Sequence, residues 1–116
     1  MPRDRDRVRL LHMLEHAREA VQLVEGGERG KLDKDRILSL ALVRLLEIIG
    51  EAAVGVSAES RDKFPGIPWA EIVGLRNRLI HGYDSVDLDI VWNILKGDLP
   101  ALVRYLAADP DLQTDR

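Results

Sequence analysis

Apolar residues recur along most of this chain at the three- and four-residue spacing of a helix. Leu10, Leu14, Ala17, Val21 and Val24 form the first seam, a stripe on one helix face. Gly26, Gly27 and Gly30 end that helix. Asp33 is placed to cap a second helix, running from about 34 to 57. Its apolar positions, from Ile37 and Leu38 through Leu42, Leu46 and Ile49, lie nearly all round the axis. A helix with so little polar face is buried on more than one side. Tight packing inside the monomer or a second subunit would each cover it.

Residues 57–68 read as a polar connection closed by Phe64-Pro65-Gly66-Ile67-Pro68. Pro68 suits the first position of a third helix. Trp69, Ile72, Val73, Leu79 and Ile80 give that helix its apolar face, and Gly82 is its expected terminator. Asp87 is the expected cap of a fourth helix, with Val86 and Val91 spaced as a hydrophobic staple. Leu88, Val91, Trp92, Leu95, Leu99, Leu102 and Leu106 continue its core face. Gly97 and Pro100 predict a kink near Leu99. No segment has strand periodicity. The pattern predicts an all-α fold, an antiparallel four-helix bundle. The expected organisation is one domain over 1–116, with an ordered core of about 5–107 and a polar, frayed tail over 109–116.

A chain of 116 residues is long enough to fold around one core without staples. It has no cysteine, which excludes a disulfide scaffold, a thiol nucleophile and cysteine-held metal centres. That suits a reducing cytosol, and a cytoplasmic location is the expectation. No apolar run approaches the roughly 20 residues of a membrane helix. The opening alternation of Arg and Asp is not a signal peptide.

The formal net charge is −3. Nucleic-acid binding by overall charge would call for a basic chain, so any such role needs a local basic patch. The acids cluster from Asp84 to the C-terminus. Residues 67–83 instead hold Arg76 and Arg78 against the single acid Glu71.

That basic stretch contains the densest chemistry in the chain. Residues 76–83 read RNRLIHGY: Arg, any four, His, any one, Tyr. A permanent cation, an imidazole that titrates near neutral pH and a phenol can bind a phosphodiester and move protons on it. Arg76 and His81 are five residues apart, about 140° around a regular helix. They would converge only if Gly82 unwinds the helix end or if two chains combine their residues. Structural roles are open too, because arginines near a helix C-terminus suit its dipole.

Other polar features are weaker. Arg44, Glu47 and Glu51 form a charged stripe on the second helix: either a solvated face with an internal pair, or carboxylates that orient Arg76 or Arg78. His12 and His16 have metal-compatible spacing but no surrounding acidic signature, so they read as a surface pair and no metal site is expected. No serine has a nucleophile-elbow context, and there is no phosphate-cradling glycine loop.

RNRLIHGY resembles the R-x4-H-x-Y motif of HepT-like toxins in the HEPN superfamily of small helical ribonucleases. The likeness extends to LLEIIGEAA in the second helix, IPWAEIVGLRN at the start of the third and DLDIVWNILKGDLPAL in the fourth, covering about 5–107. It implies a HEPN-like homodimer with the motif helices near the two-fold axis. It also implies metal-independent RNA endonuclease activity, as the toxin of a type II toxin–antitoxin pair, with no cofactor. Carried over, Arg76, His81 and Tyr83 become the catalytic residues. A 2′-hydroxyl attacks phosphorus, His81 moves a proton, Arg76 stabilises developing charge and Tyr83 donates a hydrogen bond or positions substrate. Asn77 and Arg78 are supporting phosphate contacts, and Glu51 orients a motif residue. Family members commonly sit beside a nucleotidyltransferase antitoxin (MNT type) that can adenylylate the motif tyrosine, here Tyr83. One competing reading is a dimeric HEPN-type binding module without cleavage activity, for the nucleotidyltransferase or for nucleotides. A second is a helical interaction protein in which the segment only packs.

Overall fold

The Arg–Asp alternation at the start of the chain is already helical: α1 spans Pro2–Leu23. The structure, a computed structural model, describes residues 2–81 and 85–113; of residues 2, 3, 80, 81 and 85 it describes the backbone alone. Leu10, Met13, Leu14, Ala17, Ala20 and Val24 are buried, so the predicted seam is the inner face of α1. Val21 is half-buried beside it. Gly26 follows at φ 75°, a left-handed turn that suits glycine and sends the chain back.

A short helix, α2 (Lys31–Lys34), precedes α3 (Arg36–Val54). The cap of α3 is therefore Asp35 and not Asp33. The extended backbone of Asp35 lets its carboxylate accept the Leu38 amide N–H at 2.9 Å. Asp33 pairs instead with Arg29 at 2.9 Å. Leu42, Leu46, Ile49 and Ala53 of α3 are fully buried. Gly50 lies where a Cβ would meet the Ile72 carbonyl oxygen at 3.2 Å and Leu75 Cβ at 3.4 Å. Its missing side chain thus lets the next helices close on α3.

Two arginines from elsewhere satisfy the carbonyls at the end of α3. Arg9 Nη1 donates to Gly55 O at 2.9 Å, and Arg61 Nη2 donates to Ala53 O at 3.0 Å. The segment after Ser57, expected to be plain connection, holds the helix α4 (Ala58–Asp62). Ser57 caps it by accepting the Ser60 N–H at 3.2 Å. Asp6 of α1 completes this corner. Its Oδ2 accepts both the Ser57 and the Ser60 hydroxyls at 2.6 Å, and its Oδ1 accepts the Ser57 N–H at 3.1 Å. These hydrogen bonds, first those from Ser57 and then that from Ser60, hold the buried Asp6 carboxyl below its ordinary range.

The predicted third helix is two. α5 (Trp69–Val73) and α6 (Leu75–Leu79) are separated at Gly74, a poor helix former. The chain then runs through a two-residue antiparallel hairpin, β1 (Ile80–His81) with β2 (Ser85–Val86), which no periodicity announced. Asp87 caps α7 (Leu88–Asn93) as expected, accepting the Asp89 and Ile90 N–H groups at 3.0 and 3.2 Å. A π turn at Ile94–Asp98 leads into α8 (Leu99–Ala107). The irregularity expected from Gly97 and Pro100 takes this form. Pro100 has no N–H for the Lys96 carbonyl, so an uninterrupted α-helical ladder cannot form here.

The tail differs from the frayed end predicted for it. A 3₁₀ turn at Pro110–Leu112 buries Leu112, and Arg7 Nε donates to the Asp111 carbonyl at 2.8 Å. Residues 114–116 lie outside the described residues. α1 packs along α3 and α8, and α3 also carries α5 and α6. No helix among the described residues is long and apolar enough to cross a membrane.

Candidate functional site

α6 is little more than one turn, too short to hold its conformation alone. Leu75 and Leu79, four residues apart, are both fully buried and fasten one side of it to the core. The remaining residues face outward. Arg76 and Asn77 are exposed and make no hydrogen bond or ion pair with any described residue. A guanidinium left free on a surface turn is available to an anion, and its planar fork suits two phosphoryl oxygens at once.

Arg78 behaves differently. Its Nη1 lies 2.9 Å from Asp98 Oδ2 and donates to the Glu71 carbonyl at 3.4 Å. Both members of the ion pair are half-buried. The expectation that Arg78 supports phosphate binding therefore meets a side chain already engaged. Asp98, twenty residues away, carries no mark in the sequence pattern. The only signal near it is the Gly97/Pro100 irregularity that produces the π turn.

The helix ends at Leu79, three residues before Gly82. The Leu79 carbonyl accepts the Asp87 N–H at 3.1 Å, and Ile80 pairs with Val86 and His81 with Ser85. His81 thus stands in extended backbone beyond the helix, and the 140° separation of a continuous helix does not govern it. Gly82 and Tyr83 lie outside the described residues, as does the His81 side chain. The helix that follows the hairpin has its own long-range contact. Asp89, in the first turn of α7, accepts Arg29 Nε at 2.8 Å.

Among the described residues Glu51 makes no contact with Arg76 or Arg78. It lies 3.5 Å from Arg44 Nη1, with Glu47 at 3.7 Å from the same atom, so the stripe is an internal, mostly exposed pair network on α3. His12 and His16 are also local. A His16 ring nitrogen lies 2.6 Å from the His12 carbonyl oxygen, and the rings meet edge to face at 6.2 Å. A recess of about 580 Å³ between α1 and α3 is lined by Arg5, Val8, His12, Ile48 and Glu51, with no motif residue among its described walls.

Comparison with known proteins places this sequence in a family. The model of the ribonuclease HepT-like family matches residues 13–108, which include all of α6, the hairpin and α7. A protein of Methanocaldococcus jannaschii provisionally named an RNase is 38% identical over 93 residues, covering 80% of this chain and 85% of that protein. A Caldanaerobacter subterraneus protein with the same provisional name is 38% identical over 97 residues, covering 84% of this chain and 87% of its own length. A protein of Thermococcus cleftensis named a probable ribonuclease HepT is 37% identical over 93 residues, 77% of this chain and 84% of that protein. No solved structure gives a significant match. The chain belongs to the HepT-like ribonuclease family.

Proposed function

We propose that the protein is an RNA endonuclease of toxin type, cleaving by attack of a 2′-hydroxyl on the adjacent phosphorus without a metal. The observation that carries this reading is the state of Arg76. It is exposed and unpaired among the described residues, on a turn whose apolar side is fixed in the core, four residues upstream of the hairpin strand that begins at Ile80 and includes His81. In this reading Arg76 neutralises charge building on the phosphoryl oxygens. His81 transfers the proton, a step typically worth about 10²–10⁴-fold. Tyr83 donates to or positions the substrate, and Asn77 offers a second polar contact beside Arg76.

The antiparallel four-helix arrangement and the two-fold dimer belong to the same proposal. Exposed apolar side chains support the dimer. On α3, Ile37 is 81% exposed, Leu40 54% and Val54 59%, and Val8 on the neighbouring α1 is 50% exposed. On α3 they share a face with the Arg44, Glu47 and Glu51 network, a mixed surface that a second copy would cover. A dimer would also join two sets of Arg76, which offsets the net charge of −3 in binding a polyanion. The cognate antitoxin is a nucleotidyltransferase that adenylylates Tyr83, placing an anionic group where RNA phosphates must approach.

The test is cleavage of single-stranded RNA in EDTA by wild type and by His81→Ala. Cleavage by the wild type alone supports the reading, and equal cleavage by both contradicts it. Mass spectrometry after co-expression with the neighbouring nucleotidyltransferase tests the control step. An AMP adduct on Tyr83 is expected, and an unmodified Tyr83 in an inactive complex counts against it.

A further inference from the structure

We infer that Asp98 is a positioning residue for the motif: through Arg78 it fixes the rotation of α6 and so keeps Arg76 turned outward and unpaired. The inference rests on the proposed cleavage reaction for its kinetic consequence, but the clamp itself is visible in the fold.

The first observation is the division of labour between the two motif arginines. They are two residues apart, about 200° around the helix, so they leave α6 on nearly opposite sides. Arg78 is held at 2.9 Å by Asp98, while Arg76 meets no partner among the described residues. A helix of five residues has little stiffness of its own, so pulling on one side sets the direction of the other. Leu75 and Leu79 hold α6 on the core, and the Leu79 carbonyl holds its end to Asp87. The Arg78 ion pair adds a tether on the flank of α6 away from Arg76 and so resists rolling about the axis.

The second observation is where Asp98 stands. It is the last residue of the π turn Ile94–Asp98. A π turn inserts one residue into the ladder and rotates the downstream helix by about 100° relative to an unbroken α-helix. Val91 before it, Ile94 and Leu95 within it and Leu99, Leu102 and Leu106 after it are all buried. The extra residue therefore lets both stretches bury their apolar faces while Asp98 meets α6. π turns inside helices often mark functional positions, and here the turn delivers the carboxylate that the motif helix uses.

Four proteins test the inference: wild type, Asp98→Ala, Arg78→Ala and the double variant, with Asp98→Asn as a near-isosteric substitute should Asp98→Ala fold poorly. On a single-stranded RNA oligomer in EDTA, loss of the clamp should lower kcat roughly 10- to 100-fold through misplacement of Arg76. KM should stay within about twofold, and Tm should fall by less than about 5 °C, as for a partly exposed ion pair. The double variant should be no slower than Arg78→Ala, because both changes remove one interaction. Amide hydrogen exchange gives a readout independent of activity: protection over 75–81 should fall in Asp98→Ala and in Arg78→Ala while that of α1 stays unchanged. Wild-type kcat and wild-type exchange in Asp98→Ala would overturn the inference, as would multiplicative losses in the double variant. A wild type that cleaves no RNA, yet whose 75–81 segment loosens without Asp98, would sink the cleavage reading and leave the clamp standing.

Discussion

Two polar clusters on this small helical protein are built in opposite ways. At the α1–α4 corner, the buried Asp6 carboxylate accepts three hydrogen bonds, from the Ser57 amide and the Ser57 and Ser60 hydroxyls. On α6, Arg76 and Asn77 stand exposed, with no partner among the described residues. Burial explains the first: a charge taken out of water must be satisfied or it destabilises the fold. Nothing in the fold calls for the second. Exposure alone does not mark Arg76, since Arg18 and Arg36 are exposed too; its place in the R-x4-H-x-Y motif makes it the candidate for chemistry. Arg78 shows the boundary, since it belongs to the motif by sequence and to the scaffold by contact.

The comparison can be broken from either end. The largest effect is expected at the motif. His81→Ala should reduce RNA cleavage about 10²- to 10⁴-fold, as for loss of a general acid or base, with Tm unchanged in a melting curve. Next comes Asp6→Ala, which strands the buried Ser60 hydroxyl and the half-buried donors of Ser57. It should cost about 2–3 kcal/mol and lower Tm by roughly 10 °C in calorimetry.

The pH dependence of Asp6 has a definite sign. Its folded-state pKa lies below the ordinary value of 3.8, so its contribution is complete above 3.8 and is lost as pH falls through the lowered value. Acid unfolding of Asp6→Asn should accordingly lack that part of the slope below pH 3.8 that the wild type shows. A steeper acid slope in the variant would refute the assignment.

Gly50→Ala should give a smaller loss. The new methyl presses on the Ile72 carbonyl, and the crowding, less the gain in helix propensity, leaves a net cost of about 1 kcal/mol by denaturant titration. Smallest of all is Glu51→Gln. It removes one member of an exposed pair worth at most about 0.5 kcal/mol, and cleavage should not change. A large loss of activity would restore Glu51 to the site.

Much of this was legible in the sequence where local rules decide. The α1 seam and the Asp87 cap arise from spacing and from backbone donors a few residues away. Asp35 displaced Asp33 as a cap because Leu32 is buried and α2 intervenes, a tertiary choice. The Asp6 corner joins residues more than fifty apart, and the Arg78–Asp98 pair joins residues twenty apart across a π turn. No periodicity encodes either. The motif itself was plain as RNRLIHGY, but which of its arginines remains free is decided by Asp98 and so appears only in three dimensions.

The most direct test pairs one variant from each cluster. Arg76→Ala and Asp6→Ala are compared by Tm and by RNA cleavage per folded molecule. A crossed result is expected: Arg76→Ala keeps the wild-type Tm and loses cleavage about 10²-fold or more, while Asp6→Ala loses Tm and keeps cleavage. Cleavage by Arg76→Ala at the wild-type rate would contradict the assignment of the exposed arginine to chemistry.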